Sequence, residues 1–153
     1  MKVLSNLINH HEEEQVIFDI HERSGFLDDM VSRLEMYEAK TILVKDYQKN
    51  IMIPLNVASI LYIEYLERKC FFYTSEKTYE KRMTLNVLRQ ELPEEFIQIS
   101  KTTILNTQSV KEIKSSLLNG NLYCLLSNQE EILVSRHFVR AFREKISQRN
   151  RQK

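Results

Sequence analysis

Short segments rich in β-branched and aromatic residues follow one another from Val57 to Ser135, and charged or polar turns separate them. Segments of this length and spacing are typical of antiparallel strands. Asn119-Gly120 is the strongest hairpin signal, because both residues tolerate the positive φ of a type I′ turn. The pattern therefore predicts an all-β core and argues against a parallel sheet.

Two helices accompany this core. Thr84 is a favourable N-cap for a short helix near Leu85–Leu92, and Pro93 ends that helix. A C-terminal helix after Arg136 is indicated by three apolar residues at helical spacing, Phe138, Phe142 and Ile146. The predicted fold class is α+β and mainly β, with short antiparallel strands and a C-terminal helix.

Residues 1–50 predict a short strand-helix-strand extension. One strand is expected at Gln15–Ile20 and another at Thr41–Lys45. The helix between them carries an apolar stripe, which consists of Phe26, Met30 and Leu34. The amphipathic pattern is compatible with packing on the same domain, with a dimer interface, and with a docking surface for an inhibitor.

Charge is distributed unevenly, although the formal net charge is only +1. Residues 1–53 carry ten acidic and six basic side chains, whereas residues 54–153 carry sixteen basic and eleven acidic ones. The stretch from Ser135 to Lys153 has seven basic groups against Glu144 alone. This asymmetry indicates a basic surface that faces a polyanion. The alternative is a solvated C-terminal helix with a basic tail.

Several classes of protein are excluded or disfavoured by what the sequence lacks. It has no apolar run of about 20 residues that could span a bilayer, and its start is not a signal peptide. Cys70 and Cys124 have no metal-type spacing, so a cytoplasmic protein with reduced thiols is expected. Two glycines cannot build a phosphate-binding loop, and no HExxH, CxxC or GxSxG motif occurs. We therefore expect no enzymatic activity, no cofactor and no metal.

Three segments, taken in order, carry the most specific information: Ile60–Glu64, Phe96–Asn106 and Ile132–Phe138. Together with the helix that ends at Leu92, they resemble the LytTR family of DNA-binding domains. The resemblance covers about residues 51–147, which leaves residues 148–153 as a basic tail. It implies an elongated β-sandwich-like domain of about ten short strands, which binds double-stranded DNA by inserting loops, not a recognition helix, into successive grooves.

The resemblance also implies which residues contact DNA. These lie in three loops and are Arg68, Lys69, Cys70, Lys101, Thr102, Ser135, Arg136 and His137. Arginine can donate two hydrogen bonds to a guanine edge, whereas lysine and threonine suit guanine or phosphate. Cys70 stands at a turn exit where some members of the family have a base-contacting histidine. Glu64 ends a core strand beside these loops and is expected to orient an arginine or lysine through a salt bridge.

The extension resembles that of stand-alone LytTR regulators, which have no receiver domain. Such regulators are commonly paired with a small membrane protein that holds them inactive. The resemblance therefore implies control by a protein partner instead of phosphorylation, and a homodimer on repeated half-sites. The rival interpretation is a non-enzymatic β interaction module whose basic face binds an acidic protein or an anionic membrane. Selectivity for one DNA sequence distinguishes the two, because an acid-binding module would not prefer one duplex.

Overall fold

The computed structural model describes residues 40–116 and 118–151, together with Gly25 and Asp28, which are helical. Residues 1–38 and 39–153 form two compact units. Two α-helices are described in the second unit, α1 (Leu85–Glu91) and α2 (Val139–Arg151). Its strands are β1 (Thr41–Asp46), β2 (Met52–Asn56), β3 (Tyr62–Leu66), β4 (Lys69–Tyr73), β5 (Thr78–Lys81), β6 (Phe96–Gln98), β7 (Thr103–Asn106), β8 (Val110–Ser115), β9 (Leu122–Leu126) and β10 (Glu131–Val134).

The strands form two antiparallel sheets. Seven strands pair in the order β2-β1-β5-β4-β3-β7-β6, and three pair in the order β10-β9-β8. The predicted fold class, mainly short antiparallel strands with a C-terminal helix, is confirmed. Pro54 lies in β2 at the edge of the larger sheet, where the missing N–H breaks no ladder.

The predicted extension is described only in part. The strand expected at Gln15–Ile20 and the stripe of Phe26, Met30 and Leu34 lie outside the described residues. The strand expected at Thr41–Lys45 is present as β1, and it pairs with both β2 and β5 in the larger sheet. The boundary between extension and domain at residue 50 stays a prediction.

The larger sheet carries apolar residues on both of its faces. On one face, Ile63 and Phe72 pack with Leu88 of α1, and all three are fully buried. On the other, Leu105 packs with β8, β9 and β10 and with Phe142 of α2. Burying one such side chain stabilises the fold by about 1.5–3 kcal/mol. The two cores pack against both faces of the central strands and so position the strand ends from which the loops emerge.

Side-chain caps fix the ends of the short elements. Thr84 accepts a hydrogen bond from the Val87 N–H at 3.4 Å, as its predicted N-cap role requires. Asn106 is buried, accepts from the Gln108 N–H at 2.9 Å and donates to the Ile60 carbonyl at 2.9 Å. The Asn106 side chain therefore fixes the turn that follows β7.

The two-residue type I′ turn occurs at a different hairpin from the predicted one. Glu67 and Arg68, between β3 and β4, have φ of 50° and 65°, as a type I′ turn requires. Strands β8 and β9 do form a hairpin, but in its loop only Gly120 among the described residues has positive φ. There the Ser116 N–H donates to the Asn121 carbonyl at 3.0 Å, and the connection is longer than two residues.

The C-terminal helix continues to Arg151, so the start of the predicted basic tail is helical. The Arg149 guanidinium donates to the Thr107 carbonyl and is half-buried. This arginine therefore ties α2 to the short 3-10 helix at Thr107–Ser109. None of the helices in the described part is long and apolar enough to cross a membrane.

Candidate nucleic-acid interface

Backbone hydrogen bonds bring the three predicted loops together. The Tyr65 N–H of β3 donates to the Thr102 carbonyl at 2.8 Å, which joins the end of β3 to the β6–β7 loop. The Ser135 N–H donates to the Ile99 carbonyl at 2.9 Å, which joins the end of β10 to the same loop. We call the assembly of residues 67–69, 100–102 and 135–137 the loop edge.

The middle segment of the loop edge is ordered by its own hydrogen bonds. Ser100 Oγ accepts from the Thr102 N–H at 3.1 Å, and Gln98 Nε2 donates to the Ser100 carbonyl at 2.8 Å. The Lys101 and Thr102 side chains are exposed. These hydrogen bonds use polar groups of the loop backbone and hold its conformation, while the Lys101 side chain extends into solvent.

Arg136 is the exposed cation of the third segment. Ser135 precedes a 3-10 helix of residues Arg136–Phe138, and the Arg136 N–H donates to Asn121 Oδ1 at 3.0 Å. His137 is also exposed. Among the residues that the structure describes, neither Arg136 nor Lys101 forms an ion pair. Their charges therefore remain available to an anionic ligand.

Arg68 and Lys69 differ in how far their charges are neutralised. Arg68 is exposed at the second position of the strained β3–β4 turn. Lys69 Nζ lies 3.1 Å from Glu80 Oε2, and Lys45 Nζ lies 3.9 Å from Glu80 Oε1. Glu80, which is only 9% exposed, therefore offsets much of the Lys69 charge, so Arg68 is the stronger contact candidate in this turn.

The inclusion of Cys70 among the DNA contacts is corrected by the structure. Its side chain is fully buried in the first core, and Sγ lies 3.4 Å from the Met83 carbonyl oxygen. Burial raises the pKa of the thiol to about 11. The type I′ turn ends before Lys69, and this register turns Cys70 inward together with Phe72. A side chain that faces the core cannot reach a base edge.

Glu64 does not have the role expected of it. Among the described residues it forms no ion pair, and it lies close to the stacked rings of Tyr62 and Tyr73, whose centroids are 4.4 Å apart. Burial raises the pKa of Tyr73 to about 12, and the Glu64 carboxylate adds to this effect. The carboxylate that orients a lysine of the loop edge is Glu80, which the sequence analysis missed.

Glu80 and Gln98 are the residues of this site that sequence reasoning missed. Glu80 alternates with Tyr79 along β5, so one of the two must face away from the first core. This alternation could be read from the sequence, but the pairing of β5 with β4 and β1, which brings Glu80 next to Lys69 and Lys45, could not. In the described part of the chain, no group of three histidine, cysteine or acidic residues could hold a metal ion.

Exposed cations lie close together on the β3–β4 turn, the β6–β7 loop and the 3-10 helix after β10, so that strand ends of both sheets contribute. They define a β-domain with a cationic surface suited to a polyanion. Residues 50–147 match the LytTr DNA-binding domain family. Because the match covers more than half of the chain, the protein belongs to this family.

Similar proteins agree with this assignment. An uncharacterized HTH-type transcriptional regulator of Staphylococcus aureus strain MRSA252 is 26% identical over 149 residues, which are 96% of this chain and 99% of that protein. The sensory transduction protein LytT of Enterococcus faecalis strain V583 is 33% identical over 81 residues, which are 52% of this chain and 33% of that protein. The solved LytTr DNA-binding domain of a Bacillus cereus protein superimposes with a TM-score of 0.62 at 21% identity, covering 69% of this chain and 95% of that domain.

The name of the staphylococcal relative includes a helix-turn-helix, but the described part of this chain does not contain one. Helices α1 and α2 are separated by β6 to β10 in sequence, and they pack in different cores. A helix-turn-helix requires two consecutive helices joined by a short turn. In this chain, the exposed cations predicted to contact DNA lie outside α1 and α2, although α2 also exposes Arg140, Arg143 and Arg151.

Proposed function

We propose that the protein is a sequence-specific DNA-binding transcriptional regulator that inserts the loop edge into successive grooves of promoter DNA. The observation that carries the proposal is the pair of exposed cations, Lys101 and Arg136, on neighbouring loops joined by the Ser135–Ile99 hydrogen bond. Membership of the LytTr DNA-binding domain family supports the same activity. The side chains of the loop edge make the contacts, and the two cores serve as the scaffold.

The chemistry of the loop edge suits both parts of DNA recognition. The Arg136 guanidinium can donate two parallel hydrogen bonds to O6 and N7 of guanine, and Lys101 can donate to a base or a phosphate. Thr102, Ser135 and His137 supply polar groups at the same edge. Because the loops are already ordered by their own hydrogen bonds, binding requires little further ordering of the backbone.

Control of this activity is also part of the proposal. We propose that two copies bind repeated half-sites and that a protein partner, such as a small membrane protein, holds the regulator inactive. The staphylococcal relative aligns along 99% of its own length, so the two chains share the segment before residue 50 as well as the domain. Sedimentation of the protein with DNA that precedes its own coding sequence tests the dimer. A complex of one protein chain with one duplex at saturation would contradict it.

The experiment that tests the activity compares two duplexes of equal length. The upstream duplex is DNA that precedes the protein's own coding sequence, and the scrambled duplex has the same composition in random order. We expect a gel shift at lower protein concentration with the upstream duplex. Both complexes should weaken as salt rises, because binding releases counterions from the phosphates.

Equal binding to both duplexes would overturn the proposal of sequence-specific recognition. Binding to anionic vesicles or to an acidic polypeptide, together with equal binding to both duplexes, would favour the rival interaction module. Neutral vesicles and a neutral polypeptide of the same length serve as controls for these two ligands.

A further inference from the structure

The Gln98 side chain connects helix α1 to the middle segment of the loop edge. Its Nε2 donates to the Ser100 carbonyl at 2.8 Å and lies 3.4 Å from the Lys101 carbonyl. Its Oε1 accepts from Arg89 Nη1 of α1 at 3.2 Å. One amide group therefore bridges a guanidinium and two backbone carbonyls of the loop that carries Lys101.

The partners of this amide determine its orientation. A guanidinium can only donate hydrogen bonds, and a backbone carbonyl can only accept them. The amide oxygen of Gln98 must therefore face Arg89, and its nitrogen must face the loop. In the reversed orientation, two donors would meet at Arg89 and three oxygens would meet at the loop. Arg89 consequently selects the orientation in which Gln98 holds the loop.

Arg89 is well placed for such a role. It is exposed, and no ion pair is formed by its guanidinium among the described residues. The neighbouring Leu88 is fully buried in the first core, and Thr84 caps the start of α1. Arg89 thus reaches Gln98 from a helix that is anchored in the core.

We propose that Arg89 and Gln98 form a positioning pair that holds the Lys101 loop in the conformation that reads DNA. The inference rests on the proposed function, since it names residues that act behind the loop edge. Gln98 bonds the loop directly, and Arg89 acts through Gln98. Neither residue is required to contact DNA.

Gln98→Met is the most direct test, because methionine has a similar length, no net charge and no amide. We expect binding of the upstream duplex to weaken roughly three- to tenfold, as for the loss of one or two hydrogen bonds, with little change for the scrambled duplex. Without DNA, trypsin should cleave faster after Lys101. Cleavage after Arg68, in the β3–β4 turn, serves as the internal control.

Variants of Arg89 separate positioning from a general loss of stability. Arg89→Met should lower the preference for the upstream duplex and expose Lys101 to trypsin, whereas Arg89→Lys should restore both, because an ammonium still donates to Gln98 Oε1. The double variant, Arg89→Met with Gln98→Met, should have the same preference as Gln98→Met alone. Thermal unfolding identifies any variant that fails to fold, and we expect the Arg89 variants to fold because this side chain is exposed.

The inference is overturned if Gln98→Met and Arg89→Met keep both the preference for the upstream duplex and the wild-type rate of cleavage after Lys101. It is also overturned if Arg89→Lys behaves like Arg89→Met. Failure of the proposed function has a different signature, since the wild-type protein itself would then bind the two duplexes equally. In that case, the inference about DNA reading is overturned with it.

Discussion

The stem of the Arg136 side chain lies over Gly120, so that a methyl group on Gly120 would lie 3.5 Å from Arg136 Cδ and 3.6 Å from Cγ. Gly120 has a φ of 69° in the loop between β8 and β9. The hairpin tip and the third segment of the loop edge are therefore in contact. The tip supports the side chain that we propose as the main base reader.

This contact predicts different effects for two substitutions at Gly120. Gly120→Ala should lower the free energy of unfolding by about 1 kcal/mol, because φ is positive, but it should leave Arg136 in place. Gly120→Leu should cause a similar loss of stability and should also displace the Arg136 stem, so the preference for the upstream duplex should fall. Denaturant unfolding and gel shifts of both variants check this, and equal DNA preference in the two would contradict the supporting role of Gly120.

A second prediction concerns Arg136 itself. If its guanidinium donates to a guanine edge, Arg136→Ala should cost roughly 1–3 kcal/mol on the upstream duplex and much less on the scrambled one. Arg136→Lys should recover little of the loss, because an ammonium has no planar pair of donors. Titrations of both duplexes at two salt concentrations measure these effects.

The matched control for Arg136 is Arg151→Ala, since Arg151 is exposed at the end of α2. It should lose only the part of the affinity that is common to both duplexes. Arg149 is unsuitable, because its guanidinium bonds the Thr107 carbonyl and its loss would disturb α2. Equal losses on the two duplexes for Arg136→Ala would show that Arg136 only contacts the DNA backbone.

Local patterns in the sequence were sufficient to predict the strands, the two helices and the caps. Thr84 accepts a hydrogen bond from the N–H three residues later, and Asn106 accepts one from the N–H two residues later, so the sequence contains both partners of each cap side by side. The exposed Lys101 loop was also predictable from the sequence, because its length and polarity are set by neighbouring residues. The fold class followed from the regular spacing of such signals.

Features that depend on pairing between distant strands were predicted less well. Cys70 was assigned to the DNA contacts because it stands at a turn exit where some members of the family have a base-contacting histidine. The alternation along β4 did not correct this, because Phe71 and Tyr73 are as apolar as Cys70 and Phe72 and do not tell which face is inside. The two-residue turn at Glu67-Arg68 sets the register of β4 on β3, and neither residue type favours the positive φ that this turn requires. The Lys69–Glu80 and Arg89–Gln98 contacts likewise join residues nine to eleven positions apart in different elements.

A third prediction concerns the two thiols. Burial raises the pKa values of Cys70 and Cys124 to about 11, so both stay protonated and unreactive in the folded protein at neutral pH. Iodoacetamide should modify neither thiol before unfolding and both afterwards, without reductant, as measured by intact mass. A linked pair would contradict this expectation.

The same pKa shifts predict a loss of stability in alkali. A thiol with a folded-state pKa of about 11 and an ordinary value of 9.0 ionises first in the unfolded chain. Each buried thiol therefore makes its full contribution to the free energy of unfolding below pH 9.0, and this contribution is lost as the pH rises from 9.0 towards 11. Replacement of Cys124 by Ala should reduce this alkaline loss, and an unchanged pH profile would contradict the assignment.

The last prediction concerns acid and the β1–β2 turn. Asp46 Oδ1 accepts from the Gln48 and Lys49 N–H groups at 2.9 Å each, and Lys77 Nζ lies 3.6 Å from Oδ2. The hydrogen bond from Lys49 is the largest cause that lowers the pKa of Asp46 below its ordinary 3.8, and the Lys77 charge acts in the same direction. The ionised carboxylate therefore stabilises the folded state at every pH above 3.8.

This stabilisation should disappear as the pH falls from 3.8 through the lower folded-state pKa of Asp46. Asp46→Asn keeps an oxygen that can accept both N–H groups, but it removes the charge that faces Lys77. At neutral pH the variant should melt at a lower temperature than the wild-type protein, and the two melting temperatures should converge in acid. A difference that stays constant from pH 7 to acid would show that the carboxylate charge makes no contribution, and that only the shape of the turn matters.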